Sequence, residues 1–329
     1  MSKQAAAAPQ GWREHIVLYA ALAANIGIAV AKFIAAALSG SSSMLTEGFH
    51  SVVDSGNQIL LLYGEHRAKK PPDDAHPFGY GRELYFWSFV VAILIFAIGA
   101  GLSVYEGYLH IQDPAEIEDA TLSYIVLAMA FVLEGTSWVI AVREFASAKG
   151  DTGWWQAVRQ SKDPSGFVVL FEDSAACAGL VVAGIGVWAS GHFNDPRIDG
   201  AASIVIGLIL GAVALLLARE AKGLLIGEGA DKSVVETIET VVGAHSAIVG
   251  VNHVRTIHTS PEGIFVAVSA DFDDLVQMGD AETIIEEIED SLREAVPQLT
   301  SIYIRPEKRE NAATKPGQSS IRSPRKTLG

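Results

Sequence analysis

Six long, mostly apolar windows constrain this chain more than any other feature, at residues 15–38, 43–65, 84–108, 121–141, 165–190 and 198–218. A helix needs roughly 20 predominantly apolar residues to cross about 30 Å of hydrocarbon, where every backbone polar group must be satisfied within the helix. In a chain of 329 residues, half of them apolar, no soluble fold would need so many such runs. The expected architecture is an integral membrane α-helical bundle with six transmembrane helices over residues 13–222. A smaller domain follows it.

The connecting segments give the orientation, because Lys and Arg accumulate in short cytoplasmic loops. Lys3 and Arg13 precede the first window; Arg67, Lys69, Lys70 and Arg82 lie between the second and third; Arg143, Lys149, Arg159 and Lys162 lie between the fourth and fifth. The alternate segments, 40–42 and 111–120, carry no positive charge, and Arg197 is the one exception. Both termini are therefore expected in the cytoplasm. No cleavable signal pattern or transit peptide is read at the N-terminus, which favours a bacterial inner membrane.

Residues 223–307 change character. Residues 234–242 and 281–295 read as amphipathic helices, the second with Ile284, Ile285, Ile288 and Leu292 on one face. Residues 251–257, 264–272 and 301–304 alternate as strands, with Ser260-Pro261-Glu262-Gly263 as a turn. The order αββαβ predicts a cytosolic, ferredoxin-like α+β domain with helices on one face of a three-stranded sheet. Residues 1–12 and 308–329 lack apolar pattern and are expected to be disordered.

Ionisable residues inside a membrane span are functional candidates, since a charge at mid-bilayer costs from about 3 to over 10 kcal/mol. The second window carries Glu47, His50, Asp54 and Asn57. At 3.6 residues per turn, Glu47, His50 and Asp54 fall within about 60° of one another. Imidazole nitrogen with carboxylate oxygen suits Zn²⁺ and is accepted by Fe²⁺, Co²⁺ or Mn²⁺. The alternative is a His–Asp pair that only locks helices together. The fifth window carries Glu172 and Asp173, two neighbouring carboxylates that need a cation or a donor to stay ionised in hydrocarbon. With the two windows adjacent, His50, Asp54 and Asp173 supply three ligands, and Glu172 or a water the fourth. Otherwise Glu172 pairs with Lys32 as a buried salt bridge. Asn25, Lys32, Glu106 and Glu134 read as hydrogen-bonding groups between helices.

Outside the spans, Asp73 and His76 are either a weak metal site at the cytoplasmic mouth or a solvated turn. A net charge of −14 and the absence of basic patches exclude a nucleic-acid partner. The single cysteine, Cys177, excludes a disulfide framework and a Cys-rich zinc site. No nucleophile–base set or nucleotide-binding loop is present, so neither an enzyme nor a resident cofactor is expected.

The run Ser43-Met44-Leu45-Thr46-Glu47-Gly48-Phe49-His50-Ser51-Val52-Val53-Asp54, followed by Asp73-Asp74-Ala75-His76-Pro77-Phe78-Gly79-Tyr80-Gly81, resembles the cation diffusion facilitator family. The resemblance extends over about residues 12–307. It implies a metal site between the second and fifth helices, proton-coupled export of a divalent cation by alternating access, and a homodimer. The family's ligand pair on the second helix falls on His50 and Asp54. On the fifth helix, Asp173 matches the second member but Val169 stands at the first. The segment 170–176, Leu-Phe-Glu-Asp-Ser-Ala-Ala, is similar to a zinc-transporter subgroup, and Glu172 or Glu47 is left to complete the shell. In the loop Tyr80 replaces a family histidine. In the C-terminal domain the family's metal positions fall on Asn252, Ser269, Asp280, Arg305 and Glu307, so dimerisation without a binuclear zinc site is expected. His253 and His258 read as surface residues.

Overall fold

The computed structural model describes residues 10–115 and 120–309. Segments 1–9 and 310–329, which fall in the ranges expected to be disordered, lie outside the described residues. The chain divides into two compact units: Met1–Arg67 with Glu83–Lys222, and Ala68–Arg82 with Gly223–Gly329. The loop between the second and third long helices thus clusters with the C-terminal unit.

The first unit holds α1 (Gln10–Ser39), α2 (Ser42–Ala68), α3 (Glu83–Gln112), α4 (Ala120–Lys149), the short α5 (Trp154–Gln160), α6 (Pro164–Phe193) and α7 (Arg197–Ile226). Local chemistry sets the ends. Gly40, at φ 72°, lets α1 stop and the chain turn into α2. Asp163 caps α6 by accepting from the Ser165 N–H, Pro164 opens the first turn, and Asn194 ends the helix in the left-handed region. The middle of α3, Ile95–Ala100, widens into a π-helical turn. Where α3 meets α7, a Cβ on Gly107 would lie 2.5 Å from the Gly200 carbonyl oxygen. That closeness explains the small residues there.

Four of these helices, α3, α4, α6 and α7, are strongly apolar and long enough to cross a membrane. The expectation of six is met less fully. The described apolar part of α1, Asn25–Ser39, is short. In α2 the apolar signal is diluted by Glu47, His50, Asp54 and Asn57, most of which the bundle buries. A helix whose polar stripe faces protein need not be apolar all round.

In the second unit, α8 (Lys232–Ala244), β1 (Ile248–Ser260), β2 (Gly263–Phe272), α9 (Met278–Ala295) and β3 (Leu299–Pro306) follow the expected order. The sheet runs β1-β2-β3, antiparallel between the first two and parallel between the last two. Ile264, Val266, Val268 and Ala270 alternate along β2 and pack with Ile238 and Val242 of α8 and with Ile288 and Leu292 of α9. Both helices therefore cover one face. His258 is not a surface residue. β1 runs past it to Ser260, and it is 4% exposed opposite the buried Ile264.

Candidate metal site in the membrane bundle

Within the first unit, α2, α4 and α6 bring carboxylates to a cavity of about 300 Å³. Its lining includes Asp54, Glu134, Glu172 and Asp173, with Asn25, Ser51, Gln58, Ser137 and Val169. Asn57 of α2 donates to Glu172 Oε1 at 2.7 Å, a direct side-chain bridge from α2 to α6. Ser137 of α4 donates to Asp173 Oδ2 at 2.8 Å, and Asn25 of α1 donates to Gln58 of α2 at 3.1 Å. Four acidic side chains facing one cavity of a helical bundle gather carboxylate oxygens whose ionised forms burial disfavours unless a positive charge is near. A multivalent cation supplies that charge most directly.

His50 sits one turn before Asp54. Its Nε2 is 3.4 Å from Asp54 Oδ2, within ion-pair range. His50 Nδ1 and Asp54 Oδ1 are buried without a hydrogen-bond partner. Among the described residues no group of three or more His, Cys, Asp or Glu side chains stands in a metal-holding arrangement. What the fold does bring together is Asp54, Glu172 and Asp173 around one space, with His50 beside Asp54. Val169 lines the same cavity, one turn before Asp173.

Glu47 is placed elsewhere. Its Oε2 accepts from Lys32 Nζ at 3.0 Å, and the same ammonium donates to Ser51 Oγ at 2.8 Å and Glu134 Oε1 at 2.8 Å. The alternative pairing of Lys32 with Glu172 is therefore not the one formed. Lys32 reaches across to α2 and α4, and Asn57 serves Glu172 instead. A Cβ at Gly179 of α6 would collide with Glu47 Oε1, so glycine is what admits that carboxylate. Glu134, read from the sequence as a packing group, proves to be a cavity wall. Its charge in an apolar helix was the available signal, but its partner lies 102 residues away.

In the second unit, Asp73 and His76 form a turn. Asp73 Oδ1 accepts from the Ala75 and His76 N–H groups at 3.1 and 2.8 Å, and Oδ2 from the Tyr80 hydroxyl at 2.7 Å. These donors hold the Asp73 carboxyl below the usual carboxylate range, the Tyr80 hydroxyl foremost. The His76 ring lies 4.2 Å from that of Tyr80. Asn252, Ser269 and Glu307 are likewise joined: Ser269 donates to Glu307 Oε2 at 2.9 Å, and Asn252 to the Glu307 carbonyl at 2.7 Å. Arg305 lies 3.3 Å from Glu307 Oε1, so a guanidinium supplies positive charge at that carboxylate. Asp280 is exposed.

The bundle with its acidic cavity and the small mixed sheet define a membrane protein of two parts, and each part has a counterpart among known families. Residues 18–226 match the cation efflux transmembrane domain and residues 230–309 the cation efflux protein cytoplasmic domain; the chain belongs to the cation efflux family. Relatives include the Xenopus laevis protein named proton-coupled zinc antiporter SLC30A9, mitochondrial, 32% identical over 74% of this chain and 44% of that one. Metal tolerance protein C4 of Arabidopsis thaliana is 32% identical over 59% of this chain and 43% of its own. Magnetosome protein MamM of Paramagnetospirillum magneticum is 24% identical over 89% of this chain and 88% of its own. The chain thus spans less than half the length of the first two.

Proposed function

We propose that this protein exports a divalent cation, Zn²⁺ foremost, in exchange for protons by alternating access. The observation that carries the reading is the convergence of Asp54, Glu172 and Asp173 from two helices on one cavity, with His50 against Asp54. Ligands must be deprotonated to bind a metal, so cation and proton compete for the same atoms, and that competition alone can produce antiport. Imidazole suits this role because it ordinarily titrates near pH about 6.5. The SLC30A9 relatives, which are named proton-coupled zinc antiporters, support zinc and protons as the pair.

In this reading α1 and α2 also cross the membrane, completing six spans, and both chain ends face the cytoplasm. The C-terminal unit pairs two copies into a homodimer, which fits its match to the family's cytoplasmic domain. The metal is cargo, with no resident cofactor and no chemical reaction. Fe²⁺, Co²⁺ and Mn²⁺ are the other candidates. Asp54 and Asp173 hold the ion, His50 tunes its choice, and Glu172 stands in for the ligand that Val169 cannot supply. The bacterial inner membrane expected from the sequence gains no support from relatives named mitochondrial. We propose only a membrane that carries a proton gradient.

The test is Zn²⁺ flux into proteoliposomes under an imposed pH gradient, with Asp173→Ala alongside. Gradient-dependent flux that disappears in the variant is the expected result. Val169 favours one other reading, a subunit that modulates another transporter without moving metal. Absence of flux with Zn²⁺, Fe²⁺, Co²⁺ and Mn²⁺ would favour that reading.

A further inference from the structure

Lys32 is 0% exposed, deep in the bundle, and its three N–H donors are all engaged: Glu47 Oε2 at 3.0 Å, Ser51 Oγ at 2.8 Å and Glu134 Oε1 at 2.8 Å. The second oxygen of Glu134 is buried and has no hydrogen-bond partner. Glu134 also lines the cavity that holds Asp54, Glu172 and Asp173. One carboxylate is thus shared between a permanent, tethered positive charge and the space where a mobile cation would sit. Glu47 has its second oxygen unpartnered as well, but it does not line the cavity.

We propose that Lys32 is a tethered counter-cation that competes with the transported ion for Glu134 and so sets how tightly the cavity holds its cargo. The inference rests on the reading of the cavity as a divalent-cation site. While the ammonium holds Glu134, a divalent ion meets three unshared carboxylates instead of four, together with a nearby like charge. Both effects weaken binding and favour release. The ammonium also withdraws Glu47 from the pool of ligands. A purely structural tie among α1, α2 and α4 would hold the helices together but would leave cargo affinity alone. Lys32 acts here as a positioning and selectivity residue, not as a ligand.

The experiment compares Zn²⁺ transport kinetics and equilibrium Zn²⁺ binding of the purified full-length protein with two variants. Lys32→Gln frees both carboxylates. Lys32→Gln with Glu47→Gln keeps the buried charges balanced, and it takes over the test if the single variant does not fold. The expected result is a KM and dissociation constant lower by about tenfold, with a maximal rate reduced by a similar factor because release slows. Adding Glu134→Gln should return the affinity towards wild type. Unchanged or weakened Zn²⁺ affinity in a folded Lys32 variant, beside a wild type that transports, would overturn the inference and leave the transport reading standing. A wild type that moves no metal would instead defeat the transport reading itself.

Discussion

Two pairs of aspartate and histidine that each lie within one helical turn, His50 with Asp54 and Asp73 with His76, have different surroundings. In α2, His50 and Asp54 are 3.4 Å apart, and each retains a buried polar atom, Nδ1 and Oδ1, without a partner. In the loop, Asp73 has both oxygens engaged by the Ala75 and His76 amides and the Tyr80 hydroxyl, and the His76 ring lies against Tyr80. The side chains are the same; the difference is whether their hydrogen-bonding capacity is used up. In a buried site, unused capacity is destabilising unless a ligand meets it. In an exposed turn a carboxylate closes the backbone on itself. The first arrangement leaves donor atoms free for the ion proposed above, whereas in the second the Asp73 oxygens are engaged within the loop.

The largest expected effect tests the first half of that contrast. Asp54→Ala should reduce Zn²⁺ flux in proteoliposomes to background while the protein remains folded by size-exclusion chromatography. Flux at the wild-type level would remove Asp54 from the site. Next in size, His50→Asp replaces a nitrogen ligand by oxygen and should shift preference from Zn²⁺ towards Mn²⁺. Competition of each metal against Zn²⁺ uptake measures this. Gly179→Ala should reduce flux by several-fold, because the new methyl displaces Glu47 from its seat and with it the Lys32 cluster. The same loss from Gly166→Ala, where nothing lies within 4 Å of a new Cβ, would show that the effect is not local.

The smallest effect belongs to the loop. Tyr80→Phe removes one donor from the exposed Asp73 carboxylate and should leave flux close to wild type. The hydroxyl favours the ionised carboxylate, so its loss should raise the pH at which Asp73 titrates. The sign follows from linkage: the turn's stabilisation is present above the ordinary carboxylate value, about 3.9, and is lost as pH falls through the depressed value. Limited proteolysis of the loop across acidic pH would measure the shift. A flux defect in Tyr80→Phe as severe as that of Asp54→Ala would abolish the distinction between the two pairs.

The C-terminal unit was the most legible part of the chain. Two-residue alternation marked β1 and β2, and the spacing of Ile284, Ile288 and Leu292 marked α9; the described core contains Ile288 and Leu292. The full reach of β1 was not visible, because Thr259 and Ser260 at its end carry no apolar alternation, and so the burial of His258 was missed. In the bundle, the apolar runs of α3, α4, α6 and α7 were plain; α2 was read as a span as well, but the residues it turns inward dilute its hydropathy, and it is not among the four strongly apolar helices. Asp54, Glu172 and Asp173 stood out as charges in apolar surroundings. Glu134 stood out equally, yet nothing local separated a packing role from a place on the cavity wall.

By itself the sequence determined the division into an apolar bundle and an αββαβ domain, and the set of residues able to ligate a cation. Both follow from short-range rules: hydropathy over a span, periodicity over a few turns, and the donor atoms of single side chains. Only the tertiary structure decided which charges neutralise one another. Lys32 could reach Glu47, Glu134 or Glu172, and the choice of the first two depended on how α1, α2 and α4 come together. A buried charge takes its role from its nearest counter-charge. In this bundle that neighbour arrives from another helix, up to 102 residues along the chain.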